Sequence, residues 1–464
     1  MKHHQYGEDH RANDVVFNRK RDVDVARGES NEYGTEEKRK RRIAELFVHV
    51  IATMELADDI TSPPPDWTPL SKADESIQTM TQGITMRIEP FTIYIPERTL
   101  DDLRHRLQNT RLPVPLASQG WSEGIHMDVL GELLTQWSTT FDWRAQEAAL
   151  NRLPQFVATL GEQQVHFVHQ RGVGPNPMPL VLTHGWPGSF IEMQRIIELL
   201  TDPASHGGDP ADAFDVVVPS LPGYTFSAPF KQAGCGPFEA AGLWSELMTG
   251  LGYERFGAQG GDVGAAVSTW LGVRFPERLT GIHLNYIPGA YRPPLGETDP
   301  PLSEEETAYL QRAAAFSEAE GAYAHIQRTK PQTLAAGLSD SPAGLLAWMG
   351  EKILSWCDTS PAISHEWLLT NVTLYWLTNC IGSSFRPYVE GSRRPLLFNS
   401  GERVKPPLGV ALFPRELPLP PRSWVERGYN VKRWTQMPRG GHFAALEQPE
   451  LLAEDIRAFF RDLR

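Results

Sequence analysis

A glycine-flanked acid, Gly260-Gly261-Asp262-Val263-Gly264, restricts this chain more tightly than any other stretch. The residues before it, 255–259, are few and apolar enough for a buried strand. Those after it, 265–275, place Ala266, Val267, Trp270 and Leu271 at helical spacing and stop at Pro276. A strand that turns at once into a helix needs glycine where backbone passes close to backbone, and the residue at the apex then stands exposed on the turn. Gly and Asp alone signal only an ordinary turn. The strand before and the helix after are what make this one an elbow, and the group it presents is the carboxylate of Asp262.

A carboxylate that attacks a carbonyl forms a strained mixed anhydride. One that attacks a saturated carbon bearing an oxygen or halide leaving group forms an ester that water can hydrolyse. Epoxides and alkyl halides are therefore the expected substrate classes. The hydrolytic half needs a base, an acid to orient it and donors for an oxyanion. His442, in Gly440-Gly441-His442-Phe443, follows the strand-like 430–434 and precedes a helix opening near Pro449, and its ordinary pKa suits a base. A histidine merely packed beside Phe443 is the plainer alternative. Two candidate acids lie in the right stretch between Asp262 and His442, Glu402 and Glu416. The run 408–413 reads as a buried strand, and ligand-facing groups in open α/β sheets lie beyond the carboxyl ends of strands, which favours Glu416 over a solvated loop charge. Nucleophile, acid, histidine is the chain order of α/β-hydrolases. The loop Thr183-His184-Gly185-Trp186-Pro187-Gly188-Ser189 follows the apolar strand 179–182 and offers backbone donors. Pro187 lacks an N–H, so Trp186 is the expected donor, with Val263 after the nucleophile as the second. His184 is read as shaping this loop.

Apolar runs at 165–169, 179–182, 216–218, 256–259 and 281–284 alternate with helical segments, the pattern of a mostly parallel sheet covered on both faces. Between about 290 and 395 strands fade and Trp-rich helical segments, including 343–356, take over, as a lid would. From Pro96 a helix carries Leu100, Leu103 and Leu107 on one face.

Further motifs, Val218-Pro219-Ser220-Leu221-Pro222-Gly223-Tyr224 and Phe413-Pro414-Arg415-Glu416, join those above. The N-terminal stretch from Ile88-Glu89-Pro90-Phe91 through Asp101-Asp102-Leu103 to Phe141-Asp142-Trp143-Arg144 adds another. With them the chain resembles the epoxide hydrolases of the α/β-hydrolase superfamily, in the microsomal-type branch that includes soluble fungal and bacterial enzymes, over residues 86–464. The resemblance implies an α/β-hydrolase fold with a helical lid and a meander-like N-terminal extension packed on the core. It divides the chain into an N-terminal epoxide hydrolase region (86–160) and a catalytic domain (161–464). It also implies conversion of epoxides to vicinal diols through an aspartyl ester, with Asp262 as nucleophile, His442 as base, Glu416 as orienting acid, and Trp186 and Val263 as oxyanion donors. Two lid tyrosines that hydrogen-bond the epoxide oxygen match Tyr323, in Glu320-Gly321-Ala322-Tyr323, and Tyr388, in Phe385-Arg386-Pro387-Tyr388. Tyr375, flanked by Leu374, Trp376 and Leu377, reads as packing. Neither cofactor nor metal is implied, a small-molecule epoxide and water are the reactants, and a homodimer is allowed for.

Bulk properties bear on the rest. A formal net charge of -13 argues against a nucleic-acid partner or an anionic membrane surface, and three widely spaced cysteines give neither a disulfide framework nor a zinc spacing. Residues 1–85 hold a charged, His-containing stretch with the basic run Lys38-Arg39-Lys40-Arg41-Arg42, then Ser62-Pro63-Pro64-Pro65, and are expected to be a disordered extension and linker. The semi-apolar 43–56 is too short and too polar for a transmembrane anchor, unlike the membrane-anchored members of the branch, so a soluble, cytoplasmic protein is expected. A haloalkane dehalogenase shares the Asp nucleophile but needs halide donors in place of a phenol pair. A binding protein on an inactive scaffold would have lost a catalytic group.

Overall fold

The structure, a computed structural model, describes residues 86–114, 120–358 and 363–464. The extension and linker expected over 1–85 lie outside the described residues. Nine strands form one sheet: β1 (Arg87–Phe91), β2 (Gln155–Leu160), β3 (Gln163–Gln170), β4 (Met178–Thr183), β5 (Phe214–Pro219), β6 (Phe256–Gly260), β7 (Leu279–Leu284), β8 (Val404–Leu412) and β9 (Tyr429–Gln436). Their spatial order is β1-β2-β3-β5-β4-β6-β7-β8-β9. β1, β2, β3 and β5 pair antiparallel in succession, and every pairing from β5 through β4 to β9 is parallel.

Side-chain alternation explains the layers. Leu180 and Leu182 of β4 and Val216 and Val218 of β5 enter one apolar core, while Val181 and Val217 between them enter another on the opposite face. A strand buried on both faces is apolar at successive positions, which is why these strands read as continuous runs. Helices Pro237–Gly250 and Asp262–Arg274 cover the Val181 face with Trp244, Leu247, Val267 and Leu271. Helices Gln194–Thr201 and Pro449–Arg461 cover the other with Ile196, Leu200, Leu452, Ile456 and Phe460. Each such aliphatic or aromatic side chain contributes roughly 1.5–3 kcal/mol on burial.

The N-terminal region contributes two strands that periodicity did not show. β1 pairs with β2, Ile88 opposite Ala158, at the edge of the sheet. Its sequence, Arg87-Ile88-Glu89-Pro90-Phe91, has two charges and a proline, a combination that only an edge strand accommodates. The helix after Pro96, Glu97–Gln108, buries Leu100, Leu103 and Leu107 as its spacing predicts. Between β7 and β8 the chain forms helices from Glu304–Glu320 through Pro342–Ser355 and His365–Thr378 to Arg386–Arg393, the lid. Among the described residues no helix is long and apolar enough to cross a membrane.

Chain direction across the sheet reverses at β4: β5 lies on one side of it and β6 on the other. The carboxyl ends of β4 and β6 thus border a switch point, where open parallel sheets leave a crevice for ligands. The loop after β4 and the elbow after β6 both emerge there.

Candidate active site

Asp262 opens the helix that follows β6 and has a φ of 47°, in the left-handed region that aspartate tolerates better than most residues. Two glycines make the turn possible. A Cβ on Gly264 would lie 1.9 Å from the Thr183 carbonyl oxygen, so only glycine lets the new helix press against the end of β4. A Cβ on Gly185 would lie 2.3 Å from Asp262 Oδ1, which shows how closely the loop after β4 is laid over the carboxylate. From that loop Trp186 N–H donates to Oδ1 at 2.8 Å. Val263 is the next helical residue, and a first-turn amide has no carbonyl partner within its own helix.

Oδ2, the other carboxylate oxygen, faces His442, whose Nε2 stands 3.6 Å away. That is a contact between charges, too long for a hydrogen bond. On the far side of the ring, Nδ1 meets Glu416 Oε1 at 2.6 Å, and the same oxygen accepts the N–H of Leu417 at 2.7 Å. Glu416 sits just past the end of β8 with a side chain that is fully buried. Glu402, the competing acid, accepts the N–H of Asn399 in a turn before β8 begins, at the opposite end of the strand.

The loop that carries His442 is tied down by groups the sequence did not single out. The His442 N–H donates to the Trp356 carbonyl at 3.0 Å. The buried Glu447 carboxylate accepts the N–H of Gly441 (3.1 Å), of Phe443 (3.0 Å) and of Asp358 (2.7 Å). Asp358 Oδ2 in turn accepts the Gly440 N–H at 2.8 Å. Trp356 packs edge-on against the imidazole at 5.1 Å and Tyr286, just past β7, at 5.7 Å. Glu447 has a weak sequence signal, a carboxylate one helical turn beyond Phe443. Trp356 and Asp358 have none, because their contacts with the loop join distant parts of the chain.

Burial alone would strip the proton from His442. The charges of Glu416 and Asp262 outweigh it and hold the imidazole well above its ordinary range. Burial also pushes Glu192, in the turn after Ser189, up to about 8; the nearby His442 opposes that shift, and Asp262, Glu416 and Glu447 add to it. Of the two charges that keep the proton on the ring, one is the Asp262 carboxylate, and neutralising position 262 removes it. Asp262→Asn is therefore expected to lower the His442 pKa, read from the imidazole resonances in an NMR titration. An unmoved midpoint would assign the effect to Glu416 alone.

Tyr323, on helix Ala322–Thr329, and Tyr388, on helix Arg386–Arg393, meet with ring centroids 5.9 Å apart, and the Asp262 charge reaches both phenols. The Trp186 ring stacks under Tyr323 at 5.5 Å and stands edge-on to Tyr388 at 5.9 Å. One residue thus holds the Asp262 carboxylate through its amide and packs against both phenols through its indole. Burial raises both phenol pKa values, and the Asp262 charge adds to the effect, so the hydroxyls stay protonated donors at neutral pH. Tyr375 lies elsewhere: it is fully buried in helix His365–Thr378 and donates to the Gly188 carbonyl at 2.7 Å. His184 spends both ring nitrogens on loop backbone. Nδ1 donates to the Gly185 carbonyl and Nε2 accepts the Leu221 N–H, each at 3.2 Å, and burial lowers its pKa to about 4.

Comparison with known proteins places the chain among relatives. Residues 88–193 match the family model described as epoxide hydrolase N terminus, and residues 178–339 match the α/β hydrolase fold. A Stigmatella aurantiaca protein provisionally named an epoxide hydrolase is 44% identical over 382 residues, covering 81% of this chain and 86% of its own. Epoxide hydrolase 1 of Oryctolagus cuniculus is 36% identical over 408 residues, with 80% and 88% covered. The solved structure of Aspergillus niger epoxide hydrolase superimposes with a TM-score of 0.72 at 34% identity, over 82% of this chain and 97% of that one.

Proposed function

The chain belongs to the epoxide hydrolases of the α/β-hydrolase superfamily, and from that premise we propose that Asp262 opens the epoxide, His442 and Glu416 direct water onto the resulting ester, and Tyr323 and Tyr388 support the ring oxygen. The observation that carries this reading is the two-sided hold on the Asp262 carboxylate. Oδ1 is occupied by the Trp186 amide, and Oδ2 is the oxygen left to attack, facing His442.

Attack by Oδ2 on a ring carbon breaks the strained C–O bond, and the departing oxygen takes a proton from the phenol pair. Esterification removes the Asp262 charge, and the proton His442 then loses balances the one the substrate oxygen gained. Neutral His442, oriented through Nδ1 by Glu416, accepts a proton from water as that water adds to Asp262 Cγ. Negative charge then collects on Oδ1, the oxygen already facing the Trp186 N–H, with the Val263 amide at the helix start as the second donor. Collapse breaks the Cγ–Oδ2 bond, the leaving oxygen takes the second proton of the added water, and the diol departs with the carboxylate and the charged imidazole restored.

The direct test is release of vicinal diols from a panel of terminal and internal epoxides by the purified protein. No diol from any of them, with halide released from short haloalkanes, would replace this reading with dehalogenation. The lid is tested by pre-steady-state alkylation. Tyr323→Phe and Tyr388→Phe should each slow the step by something on the order of 10²-fold or less, because the remaining phenol still donates. The double variant should nearly eliminate it. Tyr375→Phe, which loses a buried bond to Gly188, should spare alkylation in the folded protein; damage there exceeding that of the named pair would reassign the donors.

A further inference from the structure

Lysine is almost never buried unless something holds it, and Lys352 on helix Pro342–Ser355 is only 8% exposed. Its ammonium lies over the Tyr323 ring, 5.1 Å from the centroid. It pairs with Glu351 Oε2 at 2.8 Å and reaches Glu320 Oε2 at 3.7 Å; that second carboxylate belongs to the last residue of the helix just before Tyr323. The same ring is stacked on Trp186 and meets the edge of Trp356 at 5.2 Å, so the cation acts across a space lined by indoles, where charge interactions are weakly screened.

We propose that Lys352 is a positioning residue for ring opening, whose ammonium fixes the Tyr323 ring and strengthens the Tyr323–Tyr388 pair as donors to the epoxide oxygen. This rests on the reading of those tyrosines as the donors. As the substrate oxygen withdraws a proton, negative charge moves onto the phenol, and a cation over the ring favours that shift. The other charges facing Tyr323, Asp262 and Glu351, oppose it. Because the two phenol rings meet with centroids 5.9 Å apart, a charge held over one also acts on the other. The hydrolytic half-reaction, centred on His442, does not use this pair.

The experiment separates the half-reactions in single-turnover kinetics with the full chain. Lys352→Met should slow alkylation by roughly 5- to 30-fold, the range of a desolvated cation over a ring, and leave hydrolysis of the preformed ester unchanged. Lys352→Arg, which keeps the charge, should recover most of the loss. Glu351→Gln should hold or raise the alkylation rate, because it removes the opposing charge. Unchanged alkylation in folded Lys352→Met overturns the inference, as does an equal loss in both half-reactions or an Arg variant no better than Met. Should Lys352→Met fail to fold, Lys352→Gln decides: unchanged alkylation overturns the inference and a loss confined to alkylation supports it. Tyr323→Phe keeps the two levels apart. If it alkylates as fast as the parent, the lid reading itself fails; if it is slow while Lys352→Met is not, only the role of Lys352 does.

Discussion

Asp262→Ala should lose turnover by on the order of 10⁴-fold or more, because every later step acts on a bond that this carboxylate makes. Substrate binding should survive, since the phenols and the indole of Trp186 are untouched. The backbone is the one complication. At a φ of 47° an alanine carries a left-handed penalty of roughly 1–2 kcal/mol, so Asp262→Asn, which tolerates that conformation and lacks only the charge, is the companion variant. The parent enzyme supplies the complementary measurement. A single turnover in heavy-oxygen water should put no label in the first diol, because its new oxygen comes from Oδ2, and the label should appear in Asp262 of the recovered protein. A fully labelled first diol would mean direct attack by water and no ester.

His442→Gln should separate the two halves of the reaction. Alkylation needs Oδ2 and the phenols, so the ester should form. With no base beside Cγ it should persist, lowering steady-state turnover by about 10²–10⁴-fold. Intact mass should then show the protein heavier by one substrate molecule. Glu416→Gln should slow the same step less, because the orienting partner keeps its place against Nδ1 and loses only its charge. A His442→Gln protein that never gains the substrate mass would give the histidine a part in ring opening.

How much of this was legible depended on whether a residue's neighbours in space were also its neighbours in sequence. The elbow could be read because the strand, the glycines and the helix are contiguous, and β4 to β7 because burial on both faces leaves an unbroken apolar run. Glu416 was favoured over Glu402 by strand direction alone, and the structure puts the first at the imidazole and the second at the other end of β8. β1 and β2 were missed: one carries charge and proline at an edge, and the other is only half-buried, so neither shows a strong period. Tyr323 and Tyr388 came from resemblance, since nothing in the spacing of either helix distinguishes a lid donor from a packing tyrosine such as Tyr375. Glu447, Asp358, Trp356 and Lys352 went unread because each matters through contacts across the fold.

The clasp between Trp356, Asp358 and the His442 loop bears on how such a lid can be exchanged. The Trp356 carbonyl and Asp358, through its backbone and its carboxylate, form part of the seat of the His442 loop, so the lid is not a detachable module. A chimera that took the whole span from Glu304–Glu320 to Arg386–Arg393 from a relative would replace this short rivet too, and would unseat the histidine unless the imported segment still matched Glu447. Grafts bounded by Ser355 on one side and His365 on the other would leave that joint in place, provided the second keeps Asn371 and Tyr375, which hold the Pro187 and Gly188 carbonyls of the Trp186 loop. Substrate range in this architecture is thus open to change in two separate arms, on either side of a joint that recombination has to leave alone.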